Sequence, residues 1–458
     1  MSKAAYMGVG GTARKVKKMY VGVNGTARKV KKAYIGVGGV ARLFYSSGLD
    51  FSNVTFSKQI DYTSKSTVYT TGVNANGVIV LAGYDNSSDA AGGISDGDFY
   101  LGAEVIRSTD NGYTWTRVTT PPIEAYGGRN SRYGSNLKII SVGQNIIIIP
   151  ASVGWYNNGL IGTRYAYSSN AGASWIACNA GTIIGSFGSA LTLPRLKSII
   201  ATNTFFAGVV RNEARSYNNE HPAYLVRSYD GVNWEQKRTT ELGLPHEENG
   251  GSVADKIFTN GKYWFALCTP HTRNDENDHL YRSATNDPFS QYAYLTDITP
   301  DNMLKWSLWS DQDHCYMHTL SEWSYSDDGQ IIIGSSGLPN GFCDITNMEP
   351  DVSRQNCYVI STDGGLTWKA YNWPILDGYI NKGDGWCSGI RYYDNTFVTK
   401  LYCKSSCLIA WSYNGLDWSY KVGQGTSTMP SDIIRCNDNH FIYTNNIDKL
   451  TQIYHFNE

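Results

Sequence analysis

Trp155, Tyr156, Arg211, His271, Trp309, His314, Trp373 and Trp386 have the chemistry to hold a polyol, with Trp306 and Trp323 beside them. All but Trp323, which directly follows one of them, fall in long stretches rich in Asp, Asn, Ser and Gly: residues 84–104, 150–163, 211–221, 269–279, 297–322, 335–356 and 372–388. Trp and Tyr offer flat faces on which a sugar ring stacks, while Arg, His, Asn and Asp reach hydroxyl groups. Long segments held by a rigid scaffold are where binding residues gather. These eight residues are therefore the expected ligand-binding set.

What must position them is a series of short hairpins. Ser361-Thr362-Asp363-Gly364-Gly365-Leu366-Thr367-Trp368 places an Asp, a Gly and a Trp around one tight turn. The carboxylate can accept backbone N–H groups across the turn, Gly supplies the positive φ, and the indole covers the hairpin. The pattern recurs with Asp110 and Trp115, Asn170 and Trp175, Asp230 and Trp234, and Asn414 and Trp418, and in worn form from Ser283 to Tyr292. The Asp and Asn of these turns read as structural caps, so no catalytic residue is assigned to them.

With Phe56 as the first member, the covering aromatics step by 59, 60, 59, 58, 76 and 50 residues, which is a repeat period. A second series of turns precedes short apolar runs, at Asn76-Gly77, Gly143-Gln144, Asn203-Thr204, Asn260-Gly261, Asp328-Gly329, Asp394-Asn395 and Asp438-Asn439. These are seven turns against six boxes, and the chain ends where a seventh box would begin. The missing outer strand can come from Val54 to Ile60, joining both ends in one blade and leaving no open sheet edge. The expected fold is all-β: a seven-bladed β-propeller, with six blades as the runner-up, over residues 49–458. The apolar runs should form inner strands buried on both faces, and the two turn series should share one side of the ring.

Residues 1–48 are a separate unit. Ten of the 39 basic residues and none of the 40 acidic ones lie here, so the remainder holds 29 basic against 40 acidic groups, a net of −11. Three 14-residue copies align Tyr6, Tyr20 and Tyr34, and Arg14, Arg28 and Arg42, each with a Gly-containing turn between strand-like runs. Three such hairpins are too small for a robust core of their own, so they should order against a partner. Those Tyr and Arg residues are the candidate docking set. Without a base-stacking platform beyond the repeated Tyr, nucleic acid is not the expected partner.

No apolar stretch is long enough to span a membrane, and the N-terminus lacks a signal-peptide core. The nine Cys show no metal-ligand spacing and read as mostly buried thiols of a protein made in a reducing cytoplasm. Acidic stretches at 85–98, 275–279 and 311–314 offer oxygen ligands for Ca²⁺ but lack the alternation of an EF-hand loop, so no cofactor or metal is expected.

The boxes resemble the Asp-box (BNR) repeats of sialidase-like β-propellers. That resemblance implies a glycan as the natural class of ligand. Its catalytic set does not carry over. The family's first carboxylate-binding Arg comes from a Phe/Tyr-Arg-Ile-Pro motif early in the propeller, yet residues 50–106 contain no Arg, and Pro194-Arg195-Leu196 falls in the wrong blade. Arg211, Arg215, Arg354 and Arg391 remain as arginines that could converge. The reading leans away from an enzyme.

The N-terminal copies, of the form Tyr-x-Gly-Val-x-Gly-x-Ala-Arg-Lys-Val-Lys-Lys, resemble those opening tail, baseplate and fibre proteins of bacteriophages and phage-derived particles of Gram-positive, especially clostridial, hosts. The third copy departs, ending Arg42-Leu43-Phe44-Tyr45. This resemblance implies a virion or tail-like particle as location, tail or baseplate proteins as partners of residues 1–48, and a host surface polysaccharide as partner of the propeller. A glycan-degrading enzyme and a purely structural decoration protein are the alternatives, and monomer against homo-oligomer stays open.

Overall fold

The computed structural model describes residues 6–9, 12–15, 19–23, 25–30, 32–37, 40–46, 48–63, 67–85, 100–124, 137–150, 164–179, 192–214, 223–244, 252–270, 279–290, 294, 296–299, 322–335, 357–373, 386–403, 406–424, 432–437, 440–447 and 450–457. Three separate hairpins come first: β1 (Tyr6–Val9) with β2 (Thr12–Lys15), β3 (Tyr20–Val23) with β4 (Thr26–Lys29), and β5 (Lys32–Val37) with β6 (Val40–Ser46). β7 (Phe56–Thr63) follows alone.

Seven four-stranded antiparallel sheets make the propeller. The first holds β8 (Thr67–Ala75), β9 (Val78–Asp85), β10 (Tyr100–Ser108) and β11 (Thr116–Glu124). The second holds β12 (Leu137–Val142), β13 (Asn145–Pro150), β14 (Arg164–Ser168) and β15 (Ile176–Asn179). The third holds β16 (Thr192–Ala201), β17 (Phe206–Ala214), β18 (Ala223–Ser228) and β19 (Glu235–Arg238). The fourth holds β20 (Ser252–Thr259), β21 (Trp264–Pro270), β22 (His279–Arg282) and β23 (Thr296–Asp297). The fifth holds β24 (Glu322–Tyr325), β25 (Ile332–Ser335), β26 (Cys357–Ser361) and β27 (Lys369–Asn372). The sixth holds β28 (Trp386–Tyr393), β29 (Thr396–Cys403), β30 (Ser406–Ser412) and β31 (Ser419–Val422). The seventh holds β32 (Ile434–Arg435), β33 (His440–Ile447) and β34 (Leu450–Asn457), completed by β7.

The closure follows the expectation. β7 pairs antiparallel with β34, from Phe56 opposite Phe456 to Thr63 opposite Leu450. One blade is therefore sewn from both parts of the chain, and the ring has no open seam.

Side-chain alternation explains the packing. Successive strand residues point to opposite faces, so Ile146 and Ile148 pack toward the first blade while Ile147 and Ile149 pack toward the third. Seven apolar clusters result among the described residues, one in each gap between neighbouring blades. The apolar runs, expected as the inner strands, form the second strand of each blade. The first strands lie innermost, where β8 meets β12, β16 meets β20, and β24 meets β28. A second strand has sheet on both sides and a blade on both faces, so it can be apolar throughout. An innermost strand keeps one edge toward the channel and tolerates polar residues there.

The box turns are alike atom by atom. Ser108, Ser168, Ser228, Ser361 and Ser412 each accept the N–H of the turn glycine at 2.7–2.9 Å. Asp110, Asn170, Asp230, Asp363 and Asn414 each accept a backbone N–H just before the Trp at 2.8–2.9 Å. The indoles of Trp115, Trp175, Trp368 and Trp418 donate to the carbonyl of their own turn glycine. Trp234 donates to the Tyr165 hydroxyl in the neighbouring blade instead. Gly365 shows why the residue must be glycine: its φ is +95°, and a Cβ there would stand 2.4 Å from the Phe265 ring.

In the worn fourth box, Tyr292 lies outside the described residues. The indole there comes from Trp264 on β21, which donates to the Asn286 carbonyl. A strand residue opposite the turn reaches the same carbonyl that a box Trp would.

Burial acts to raise the carboxyls of Asp110 and Asp230, but the surrounding donors outweigh it and hold both at about 2. Each depressed carboxyl contributes stability that is complete above its unfolded value near 4 and disappears as pH falls toward about 2. A melting temperature that declines through that window, with a shallower decline in Asp110→Asn/Asp230→Asn, is the expected result. Asn170 and Asn414 already occupy the same turn position, so the amide is tolerated there.

Candidate functional site

The turns and the strand ends that flank the long segments lie at opposite ends of the ring. Neighbouring blades lock through their turns: Asn437 Nδ2 donates to the carbonyl of Gly77 and to Oδ1 of Asn111, and Asn260 Nδ2 donates to the carbonyls of Gly329 and Gly364. Each of these pairs joins a first-to-second-strand turn to a box turn or its neighbour, so both series lie at one end, as expected. The strand ends flanking 86–99, 125–136, 151–163, 180–191, 215–222, 271–278, 300–321, 336–356 and 374–385 therefore all open toward the other end.

At the innermost strands, one charged network spans the ring. Arg391 on β28 reaches Glu322 on β24 (Nη1 to Oε2, 3.4 Å) and Asp432 just before β32 (Nη2 to Oδ2, 3.1 Å). Lys138 on β12 meets the other oxygen of Glu322 at 3.1 Å. Asp432 also accepts the Thr71 hydroxyl at 3.0 Å and the Gly72 N–H. Five blades thus meet at one cluster. Glu322 and Gly72 stand three residues before the last residue of β24 and β8, and Arg391 two before the last residue of β28, so the cluster lies nearer the tight turns, below the end from which the long segments issue.

Its electrostatics are compensated. Asp432 raises the Arg391 pKa, keeping the guanidinium protonated against the cost of burial. Burial pushes the Asp432 carboxyl upward, while Arg391, Gly72 and Thr71 pull it back. Two cations face two carboxylates, and the arrangement forms a polar floor to the channel rather than a free acid or base.

The sequence-derived ligand set fares unevenly. Trp155, Tyr156, His271, Trp309 and His314 lie outside the described residues. Arg211 is a strand residue in β17, opposite Arg195 and Ala223, and Trp386 opens β28 opposite Tyr402; neither sits within a loop. Trp373 is a correction. It is 3% exposed and packs edge-on against Trp418 at 5.0 Å and beside Tyr358, filling the gap between the fifth and sixth blades. Trp323 likewise stacks on Phe258 at 3.8 Å across a blade gap. Both indoles bury more apolar surface there than a solvent-facing position would allow. Arg391 joins the network above; the Arg211 side chain, Arg215 and Arg354 lie outside the described residues. The network itself escaped sequence reasoning, because its members come from distant blades and carry no local pattern.

The docking set is seen only in part. Tyr20 is 56% exposed on β3, with Val21 and Val23 also exposed beside it. Tyr6, Arg14, Arg28, Tyr34 and Arg42 have described backbone in their hairpins, but their side chains lie outside the described set. Among the described cysteines, Cys268, Cys387, Cys407 and Cys436 are buried and Cys178 is half-buried. The described residues hold no cluster of metal-ligating side chains.

No protein-family model and no curated protein sequence matches the chain. Solved structures do. A Trypanosoma rangeli sialidase in complex with 2,3-difluorosialic acid matches at 10% identity and TM-score 0.38, over 88% of this chain and 58% of its own. A streptogramin B lyase matches at 10% identity and TM-score 0.45, over 90% and 99%. A Penicillium chrysogenum α-L-arabinanase with bound arabinobiose matches at 14% identity and TM-score 0.39, over 76% and 92%. This chain thus spans little more than half the sialidase's length, and none of these likenesses carries an argument about chemistry.

Proposed function

We propose that the protein is the receptor-binding component of a phage or phage-tail-like particle. Residues 1–48 dock to a tail or baseplate protein, and the loop-rich end of the propeller binds a surface glycan of the host cell. The observation that carries this reading is the division of the ring. Turns locked by hydrogen bonds close one end, and every long segment issues from the other, over the floor formed by Lys138, Glu322, Arg391 and Asp432. The aromatic and amide-rich composition of those segments suits a neutral or zwitterionic sugar polymer.

Glycan cleavage on the same scaffold would need a carboxyl free to give or take a proton. Glu322 and Asp432, the carboxylates of the floor, are both held in ion pairs, which favours binding over hydrolysis. Labelled full-length protein is expected to adsorb saturably to host cells and to lose adsorption when wall polysaccharide is stripped. Undiminished adsorption to stripped cells would sink the recognition half. Particles that still carry the protein after removal of residues 1–48 would sink the docking half.

A further inference from the structure

Between the hairpins and the propeller, the chain is not a loose tether. Leu49, Phe51 and Val54 are buried in the gap between the sixth and seventh blades. Leu49 N–H donates to the Thr396 hydroxyl at 2.7 Å, and the Tyr413 hydroxyl donates to the Leu49 carbonyl at 2.9 Å. Ser52 N–H is capped by Asp50, and Lys421 Nζ donates to the Ser52 carbonyl at 3.2 Å. Gly48 turns the chain here with φ +74°, and a Cβ on it would lie 2.5 Å from the Tyr413 ring. Only residue 47 separates this seat from the end of β6.

The seat is at the tight-turn end. Thr396 directly follows the Asp394-Asn395 turn, and Tyr413 belongs to the box turn of the sixth blade. Resting on the docking role proposed for residues 1–48, we infer that the propeller is rigidly polarised: its tight-turn end faces the particle, its loop-rich end faces away, and the surface that takes the hairpins is an acidic protein surface. The charge argument is direct, since residues 1–48 hold ten basic groups and no acid, beside the exposed apolar Tyr20, Val21 and Val23. A short rigid seat converts the point of attachment into an orientation. A flexible tether would let either end of the ring face the particle.

The test uses full-length protein on a polyglutamate-coated surface, with maleimide-polymer labelling of single introduced cysteines read above the wild-type background. Leu416→Cys probes the exposed box turn of the sixth blade, and Val422→Cys probes the exposed far end of its outer strand. The chain should bind at low ionic strength and be released by salt. On binding, labelling at position 416 should slow about threefold or more while position 422 is unaffected, because only a surface near the interface loses solvent access. Gly48→Ala, which removes no charge, should keep the binding and lose most of that protection. Protection at 422 instead of 416, or full protection in Gly48→Ala, overturns the polarity while leaving the docking role standing. Failure to bind polyglutamate overturns the acidic partner. Binding that survives Lys15→Glu, Lys29→Glu and Lys32→Glu together puts the positive surface elsewhere and overturns the docking role as well.

Discussion

Replacing Arg391 by alanine is expected to lower stability by about 3 kcal/mol, the low end of the range for breaking a buried ion pair from one side. The low end applies because the Arg391 side chain keeps 29% exposure, whereas Asp432 keeps only 5%. Loss of the guanidinium leaves Asp432 with the Thr71 hydroxyl and the Gly72 N–H alone, and takes one of two cations from Glu322. The double variant Arg391→Ala/Asp432→Asn should recover part of the loss, since the uncompensated charge goes with it. Urea unfolding midpoints measure both. A single-variant loss below about 1 kcal/mol would mean the pair is screened like an exposed one.

Phe51→Ala should cost as much or more, about 3–5 kcal/mol as for other large core truncations. Phe51 has no exposed surface, and its ring meets Trp411, Phe441 and Phe456 edge-on at 5.3–5.6 Å. Phe456 lies on the strand that pairs with β7, so the cavity opens beside the closing blade. The ring should therefore open first at this seam. Faster hydrogen exchange in β7 and β34 than in the second to fifth blades is the expected signature. Leu366→Ala, at a box-turn residue 48% exposed, serves as the control and should shift stability by no more than about 0.5 kcal/mol.

The scaffold was legible because its signals are local. A box needs Ser, Asp or Asn, Gly and Trp within eight residues, and in the box from Ser361 to Trp368 each of those contacts closes inside the turn. Two independent turn series then fixed the blade count and the strand exchange between β7 and β34. Trp373 and Trp323 were misread because residue type does not separate a sugar platform from a blade wedge. The same flat apolar face serves both, and only the neighbours, Trp418 and Phe258, decide. Trp264 was missed as the fourth box's indole because it reaches the turn from a different strand. The Lys138–Glu322–Arg391–Asp432 network was invisible for a related reason: it exists only once the ring is closed.

These observations separate an end closed by locked turns from an end from which the long segments issue. Asp110, Asp230 and Asp363, which resemble a sialidase mark in sequence, are turn caps at the sealed end. The most direct test of the account is the affinity of full-length protein for isolated host wall polysaccharide, compared across substitutions at the two ends. Trp155→Ala and Trp309→Ala, in segments issuing from the loop-rich end, should each weaken binding about tenfold or more, as expected for aromatic anchors. Leu366→Ala and Leu416→Ala, exposed on box turns at the other end, should leave it unchanged. The reverse pattern, with binding lost on the turn substitutions and kept in the Trp variants, would contradict the account.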